Sequence, residues 1–341
     1  MKLTNSLVKS GRIWAAIAVG CVFPTLAQAQ APLQPVTFRL DIAWRGYQLP
    51  FMVGVAKGIY EKHGLKVELR QGTGSSNTAL AIASGTDDFG FVDFSVVAKS
   101  RDKQIPIKAI GGVFMKNPYA VFTRPKDNVK TAKDLERLKL GMALTSSPEQ
   151  LFPLFAKLAN LDYAKIKANS AQITDISTRD PLFLEGKTDG TFGFAMNLPG
   201  FEAACKCKIS MLRMADYGIS VMANGLAASD NLLKQKPDVA RKFVEATREA
   251  IEYTIQHTDE SLDLWHQVAK DSPRTREVNR QEWEVAAGLL STDATKARKL
   301  PYLCMADEDW KATLGQLASV NQIRAGLPAN EVYTNEFAGC K

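Results

Sequence analysis

The side chains best suited to chemistry in this 341-residue sequence lie in four short runs, each placed where a hydrophobic segment gives way to a helical pattern. The first is Gly72-Thr73-Gly74-Ser75-Ser76. Its glycines let backbone approach a ligand closely, and the N–H groups and hydroxyls at a helix start suit an anion or a carbonyl. The other reading is a plain helix cap, with Thr73 or Ser75 as N-cap. A phosphate loop would end in Gly-Lys-Ser/Thr, and a dinucleotide fingerprint would carry a third glycine after the first strand. This run has neither, so nucleotide chemistry is set aside.

The second run, Trp44-Arg45-Gly46-Tyr47, offers two aromatic faces. Against a flat ligand such stacking is worth about 0.5–1.5 kcal/mol beyond area burial; the alternative is that Trp44 and Tyr47 pack beneath a hinge. In the third, Phe91-Val92-Asp93-Phe94-Ser95, Asp93 is most simply a helix N-cap and only secondarily a ligand contact. The fourth, Thr145-Ser146-Ser147 before Pro148, repeats the hydroxyl-plus-helix-start arrangement in the other half of the chain. Two such ends facing each other form a neutral clamp that favours an anion by about 0.3–1 kcal/mol each. Arg179, in RDPLFLEG, is a candidate bidentate grip on a carboxylate or sulfonate, or else a solvated charge beside Asp180. Asn197 follows a strand, and Asp216-Tyr217 lies in a neighbourhood near a second crossing. The candidate ligand-binding set is Trp44, Tyr47, Gly74, Ser75, Ser76, Asp93, Ser146, Ser147, Arg179 and Asn197.

No Ser/His/Asp order, paired-carboxylate motif or HExxH is present, so no catalytic residue and no cofactor is expected. Cys205-Lys206-Cys207 lacks third and fourth ligands, with only His63, His257 and His266 in the chain, and no metal is expected.

The elements that must position these runs follow from patterning. VTFRLDIAW alternates as a strand, LPFMVGVAKGIYEKHG is helical up to Gly64, and LKVELRQ is a second strand. Ser75–Ser84 reads as a helix stopped by Gly85, with DDFGFVDF and IPIKAIGGVF as further strands. After a polar break near TRPKDNVKTAKDLERL the pattern restarts: KLGMAL strand, SSPEQLFPLFAKLANL helix, AKIKANSAQI strand, DPLFLEG helix, TDGTFGFAMN strand. Strands alternating with helices imply a mostly parallel α/β sheet in each half. From Asn231 the chain is nearly all helical, with Val239, Phe243, Ala246, Ala250 and Ile251 on one stripe.

Composition adds bounds. With 45% hydrophobic and 23% charged residues the chain is long enough for two domains with cores of their own. Lys2, Lys9 and Arg12 before the apolar run Ile13–Leu26, then Ala27-Gln28-Ala29, read as a signal peptide over residues 1–29. Lipidation at Cys21 is the alternative, from a loose lipobox. Removing that segment's three basic and no acidic residues leaves 40 basic against 36 acidic, too mild a surplus for a nucleic-acid partner. Four cysteines remain in an oxidising compartment. Cys205 and Cys207 are poor partners for each other in an extended segment. Cys304 with Cys340, or one of these with the Cys-Lys-Cys pair, is expected instead.

Trp44, Pro50, Phe51, Val55, Ala56, Gly58, Tyr60, Gly64, Leu65 and Val67 form a run that resembles the start of the SsuA/THI5-like family, the periplasmic solute-binding proteins of the nitrate, sulfonate, taurine and thiamine-pyrimidine group. ALAIASGTDDFGF, FLEGKTDGTFGF and ADYGISVMANGLAASDNLLKQKPDVARKFVEA resemble later segments of that family in the same order, so the likeness covers most of residues 37–256. The resemblance implies a two-lobed periplasmic binding protein fold of type II with a ligand cleft between lobes. One lobe would take residues 36–123 plus 221–341, the other 124–220. It implies a monomeric periplasmic component of an ABC importer that delivers a small-molecule solute to an inner-membrane permease. The site as read favours a planar organic anion, a sulfonate or aromatic carboxylate, with a thiamine-related pyrimidine as the alternative. The family also includes a THI5-like pyrimidine synthase that consumes its own histidine and relies on iron and a cysteine-rich run, a reading the single Cys-Lys-Cys and the signal peptide disfavour.

Overall fold

The computed structural model describes residues 1, 3 and 32–340. The expected signal peptide falls almost wholly outside the described residues, and so does Cys21.

Alternating side chains place Val36 and Phe38 inward on β1 (Gln34–Arg39), which pairs in parallel with β2 (Leu65–Arg70) and with β3 (Phe89–Asp93). With β4 (Ile107–Gly112) and β10 (Asn224–Ser229) they form one sheet in the order β2-β1-β3-β10-β4. Only β10 runs against the other four, antiparallel to both β3 and β4. The second half contains β5 (Tyr119–Thr123), β6 (Gly141–Ala143), β7 (Ala171–Ile173), β8 (Gly190–Phe194) and β9 (Ser210–Arg213). β6 pairs in parallel with β7, a parallel bridge from Leu140 to Gly190 joins them to β8, and β5 lies antiparallel between β8 and β9. The order β7-β6-β8-β5-β9 thus repeats the first sheet, again with one reversed strand. In each sheet that strand is the one arriving from the other half: β5 follows the crossing after β4, and β10 follows the return after β9.

Two expectations shift. β5, placed in the first lobe by the expected boundary at residue 123, is hydrogen-bonded into the second sheet. The segment AKIKANSAQI is mostly helix, Tyr163–Asn169, with only Ala171–Ile173 extended. Asp162 caps that helix through the Lys165 N–H at 3.0 Å, and Ile166 is its one buried residue.

The main core runs through both halves, and its longest helix lies against the first sheet. The 20-residue helix Pro237–Gln256 buries Ala240, Phe243, Val244, Ala246, Ala250 and Ile251, and Phe243 stacks on Phe89 at 4.0 Å and stands edge-on to Phe38 at 5.0 Å. The helix Leu49–Ala56 packs between it and the helix Thr258–Val268. No helix among the described residues is long and apolar enough to cross a membrane.

Cys304 pairs with Cys340, the first of the expected alternatives. Cys205 pairs with Cys207, against expectation. The segment is not extended: Cys205 ends the helix Leu198–Cys205, and its C-cap Lys206 turns left-handed at φ 51°, which brings the two Cα atoms to 5.1 Å, inside the span a disulfide needs.

Candidate functional site

A small cavity lies between the two sheets, lined by Asp41, Ile42, Tyr47, Gly74, Ser75, Ser146, Ser147, Pro148, Ile176, Arg179, Gly193, Phe194 and Asn197. Apart from Gly193 and Phe194, which close β8, these residues follow the carboxyl ends of β1, β2, β6, β7 and β8, where open α/β sheets hold ligands.

The wall from the first sheet is built by a close fit of loops. Gly74 N–H donates to the Asp41 carbonyl at 2.8 Å, and the Thr78 hydroxyl donates to the Leu40 carbonyl at 2.8 Å, so the turn before the helix Ser75–Ala83 lies on the chain leaving β1. Gly74 has φ +107°, and a Cβ there would stand 2.6 Å from the Thr145 carbonyl across the cleft. The helix Ser75–Ala83 and the helix Ser147–Leu158 both start at the cavity. Among the described residues the N–H groups of Ser75, Ser76 and Ser147 make no hydrogen bond, which leaves two sets of donors at the positive ends of helices.

Three ionisable groups face the cavity, Asp41, Tyr47 and Arg179. Asp41 is buried; its carboxylate accepts from Gln48 Nε2 at 2.9 Å, the Tyr47 hydroxyl at 3.2 Å and Asn224 Nδ2 at 3.3 Å. Burial outweighs these bonds and raises its pKa to about 6. The same burial, with the neighbouring Asp41 charge, raises the Tyr47 hydroxyl. Arg179 is buried too, but it is already engaged: Nη1 reaches Glu149 at 2.9 Å and Ser146 Oγ at 3.1 Å, and Nε reaches Asp180 at 3.0 Å. Its charge is therefore matched by protein carboxylates. Among the described residues Asn197 Nδ2 is buried without a partner, as are Glu149 Oε2 and Asn224 Oδ1. The rings of Tyr47 and Phe194, one from each half, meet at 5.7 Å with their planes tilted by 46°.

The structure gathers Tyr47, Gly74, Ser75, Ser146, Ser147, Arg179 and Asn197 around one cavity and places three candidates elsewhere. Trp44 turns away, its indole N–H donating to Asp271 at 2.8 Å. Ser76 faces the second half, where its hydroxyl accepts from Gln150 Nε2 at 2.8 Å. Asp93 is fully buried as an N-cap, accepting from Ser95 N–H at 2.8 Å and from the Tyr119 hydroxyl, which ties β3 to β5. Burial raises its pKa. Arg45 and Asp180 pair across the cleft at 3.3 Å. Asp41, Ile42, Ile176 and Phe194 went unnoticed in the sequence. The strand-end rule was the available signal for Asp41, but the alternating run VTFRLDIAW hides where β1 stops, at Arg39.

The two sheets with a cleft between them are the periplasmic-binding-protein fold. The alkanesulfonate-binding protein SsuA from Xanthomonas axonopodis pv. citri, solved with MOPS bound, superposes with a TM-score of 0.69 at 12% identity over 89% of this chain and 100% of that one. The nitrate-binding protein NrtA from Synechocystis PCC 6803 superposes with a TM-score of 0.63 at 10% identity, over 90% and 87%. The chain belongs to the NMT1/THI5-like family, whose model matches residues 46–261. Its relatives include the riboflavin-binding protein RibY of Chloroflexus aurantiacus, 25% identical over 92% of this chain and 90% of that protein. They also include a 4-amino-5-hydroxymethyl-2-methylpyrimidine phosphate synthase of Legionella pneumophila, 21% identical over 89% and 92%. The arrangement fits a solute-binding role.

Proposed function

We propose that this protein is the periplasmic solute-binding component of an ABC importer, capturing a small planar organic anion, such as a sulfonate or an aromatic carboxylate, and handing it to a membrane permease. The observation that carries the reading is the convergence of two helix starts, at Ser75 and at Ser147, on one cavity between the sheets. Their free N–H groups and hydroxyls supply donors to an anion without a net charge, and the rings of Tyr47 and Phe194 supply an aromatic edge to the wall. Arg179 adds little net charge, because Glu149 and Asp180 hold it. Binding one half first and closing the other over the solute is the hinge behaviour such a cavity supports.

A second reading rests on Asp41. A buried carboxylate in the wall favours a ligand that presents ring N–H or amine donors, as a thiamine-related pyrimidine does. RibY, named for riboflavin, and the pyrimidine phosphate synthases among the relatives keep heteroaromatic ligands in view. Against enzymatic synthesis, the three histidines stand away from the cavity: His63 pairs with Glu249, while His257 and His266 lie against Tyr253 and Trp265.

A thermal-shift screen of the mature protein against sulfonates, aromatic carboxylates, nitrate, the thiamine pyrimidine and riboflavin tests both. Ligand at about 100 times its Kd stabilises by about 2.7 kcal/mol. A shift with an organic anion alone supports the first reading, a shift with a heterocycle alone supports the second, and silence from every compound overturns both.

A further inference from the structure

The Cys205-Lys206-Cys207 run takes no part in the cavity, yet it closes a disulfide of its own. We propose that this bond is a thiol–disulfide exchange site for low-molecular-weight thiols, opening and re-forming while Cys304–Cys340 stays closed.

Loop size is the first reason. Cys205 and Cys207 are two positions apart, whereas Cys304 and Cys340 are 36 apart. A cross-link restrains the unfolded chain in proportion to the logarithm of the loop it closes, and the folded protein favours the closed form of its cross-links to the same extent. Folding therefore holds the short bridge far more weakly than the long one. Access is the second reason. Cys207 and its neighbours Lys206 and Lys208 are exposed, and Cys205 is half-buried at a helix end, while Cys304 is 2% exposed beneath the C-terminal segment. Charge is the third. Lys206 stands between the two sulfurs in sequence and has no ion pair among the described residues, and Lys208 shares a single carboxylate, Glu202, at 3.4 Å. Two ammonium groups beside an exposed disulfide draw in an attacking thiolate and stabilise the thiolate that leaves.

The exchange balances as follows. The external thiolate forms a bond to Cys207 Sγ, the Cys205–Cys207 bond breaks, and Cys205 departs as a thiolate that takes a proton from solvent. A second thiol attacks the mixed disulfide, releasing the oxidised small molecule and leaving Cys207 as a thiol. Two electrons pass from two thiols to the protein, and an oxidised small-molecule disulfide reverses the sequence.

The folded full-length protein is titrated with dithiothreitol, quenched, denatured and alkylated, and its cysteine peptides are weighed. Cys205 and Cys207 are expected to become labelled at a dithiothreitol concentration at least about tenfold below that needed for Cys304 and Cys340. Opening of both pairs together, or of Cys304–Cys340 first, overturns the proposal. So does labelling of Cys205 and Cys207 in protein that has met no reductant, since no bond would then be present to exchange. The Cys205→Ser variant, treated with oxidised glutathione, should take up one glutathione on Cys207; an unmodified Cys207 sinks the exchange step even if the titration succeeds.

Discussion

Gly74 and Thr145 meet across the cleft so closely that the glycine has no room for a side chain: a Cβ on Gly74 would sit 2.6 Å from the Thr145 carbonyl. The contact joins the turn before one helix to the turn before the other, so it exists only when the two halves are together. Gly74→Ala should keep the halves apart by that overlap, adding about 1–3 kcal/mol of local strain at φ +107°. Solute affinity is expected to fall at least about tenfold while the circular dichroism spectrum is kept. Calorimetry with whichever compound the screen identifies checks this, and wild-type affinity in the variant would mean that solute is held without closure.

Asp41 gives the stability curve a specific shape. Its ordinary value is 3.8 and its folded value about 6, so the folded state holds an extra proton between them. The stability contributed by that proton is complete below 3.8 and is lost as pH rises through about 6, a change of about 3 kcal/mol. In Asp41→Asn this component disappears. The difference in stability between variant and wild type should move in the variant's favour from pH 4 to 7, on top of a constant cost for the altered hydrogen bonds; a flat difference would show that Asp41 does not titrate in that range.

The same titration separates the two ligand readings. An anion beside Asp41 should bind more tightly as pH falls through about 6 and the carboxylate becomes neutral. A heterocycle that donates a hydrogen bond to Asp41 should bind more weakly over the same interval. Affinity measured at several pH values reads the sign directly.

Arg179 and Glu149 form a buried pair, 4% and 3% exposed at their side chains, and neither can lose its partner cheaply. Arg179→Met should destabilise the protein by about 3–5 kcal/mol, and Arg179→Met with Glu149→Leu should recover most of that. Denaturant melts of the three proteins test it. If the single variant keeps its stability and loses solute binding instead, Arg179 is a ligand grip.

The two disulfides should contribute unequally. By loop length alone, removing Cys304–Cys340 costs about 4 kcal/mol and removing Cys205–Cys207 roughly 1.5 kcal/mol. Paired serine variants, melted in denaturant, compare them.

Local pattern announced the strands and helices of the first half up to β4 and most of those in the second, but it missed β5 and β9 and took the helix Tyr163–Asn169 for a strand. The alternation around Phe38, the helical stripe through Phe243 and the glycine-hydroxyl run at Gly72–Ser76 are short-range features, because side-chain period and helix starts depend on residues within a few positions of one another. The hydroxyl run after Thr145 was legible for the same reason, and so was the repetition of the first half by the second. What the chain did not disclose depends on contacts between residues far apart. Asp41 becomes a cavity group because Gln48, Tyr47 and Asn224 surround it, and Asn224 is brought there by the strand that returns from the other half. Trp44 leaves the cavity because Asp271, more than two hundred residues on, accepts its indole N–H. Arg179 is claimed by Glu149 and Ser146 before any ligand arrives. The Cys205–Cys207 pairing turned on one left-handed residue, Lys206, that no apolar period marks. The sequence by itself determined which residues start helices, which strands pleat and that the chain makes two α/β halves. Tertiary structure decided which of the polar residues face the space between those halves, since their hydrogen-bond partners come from segments that meet only once both sheets have formed.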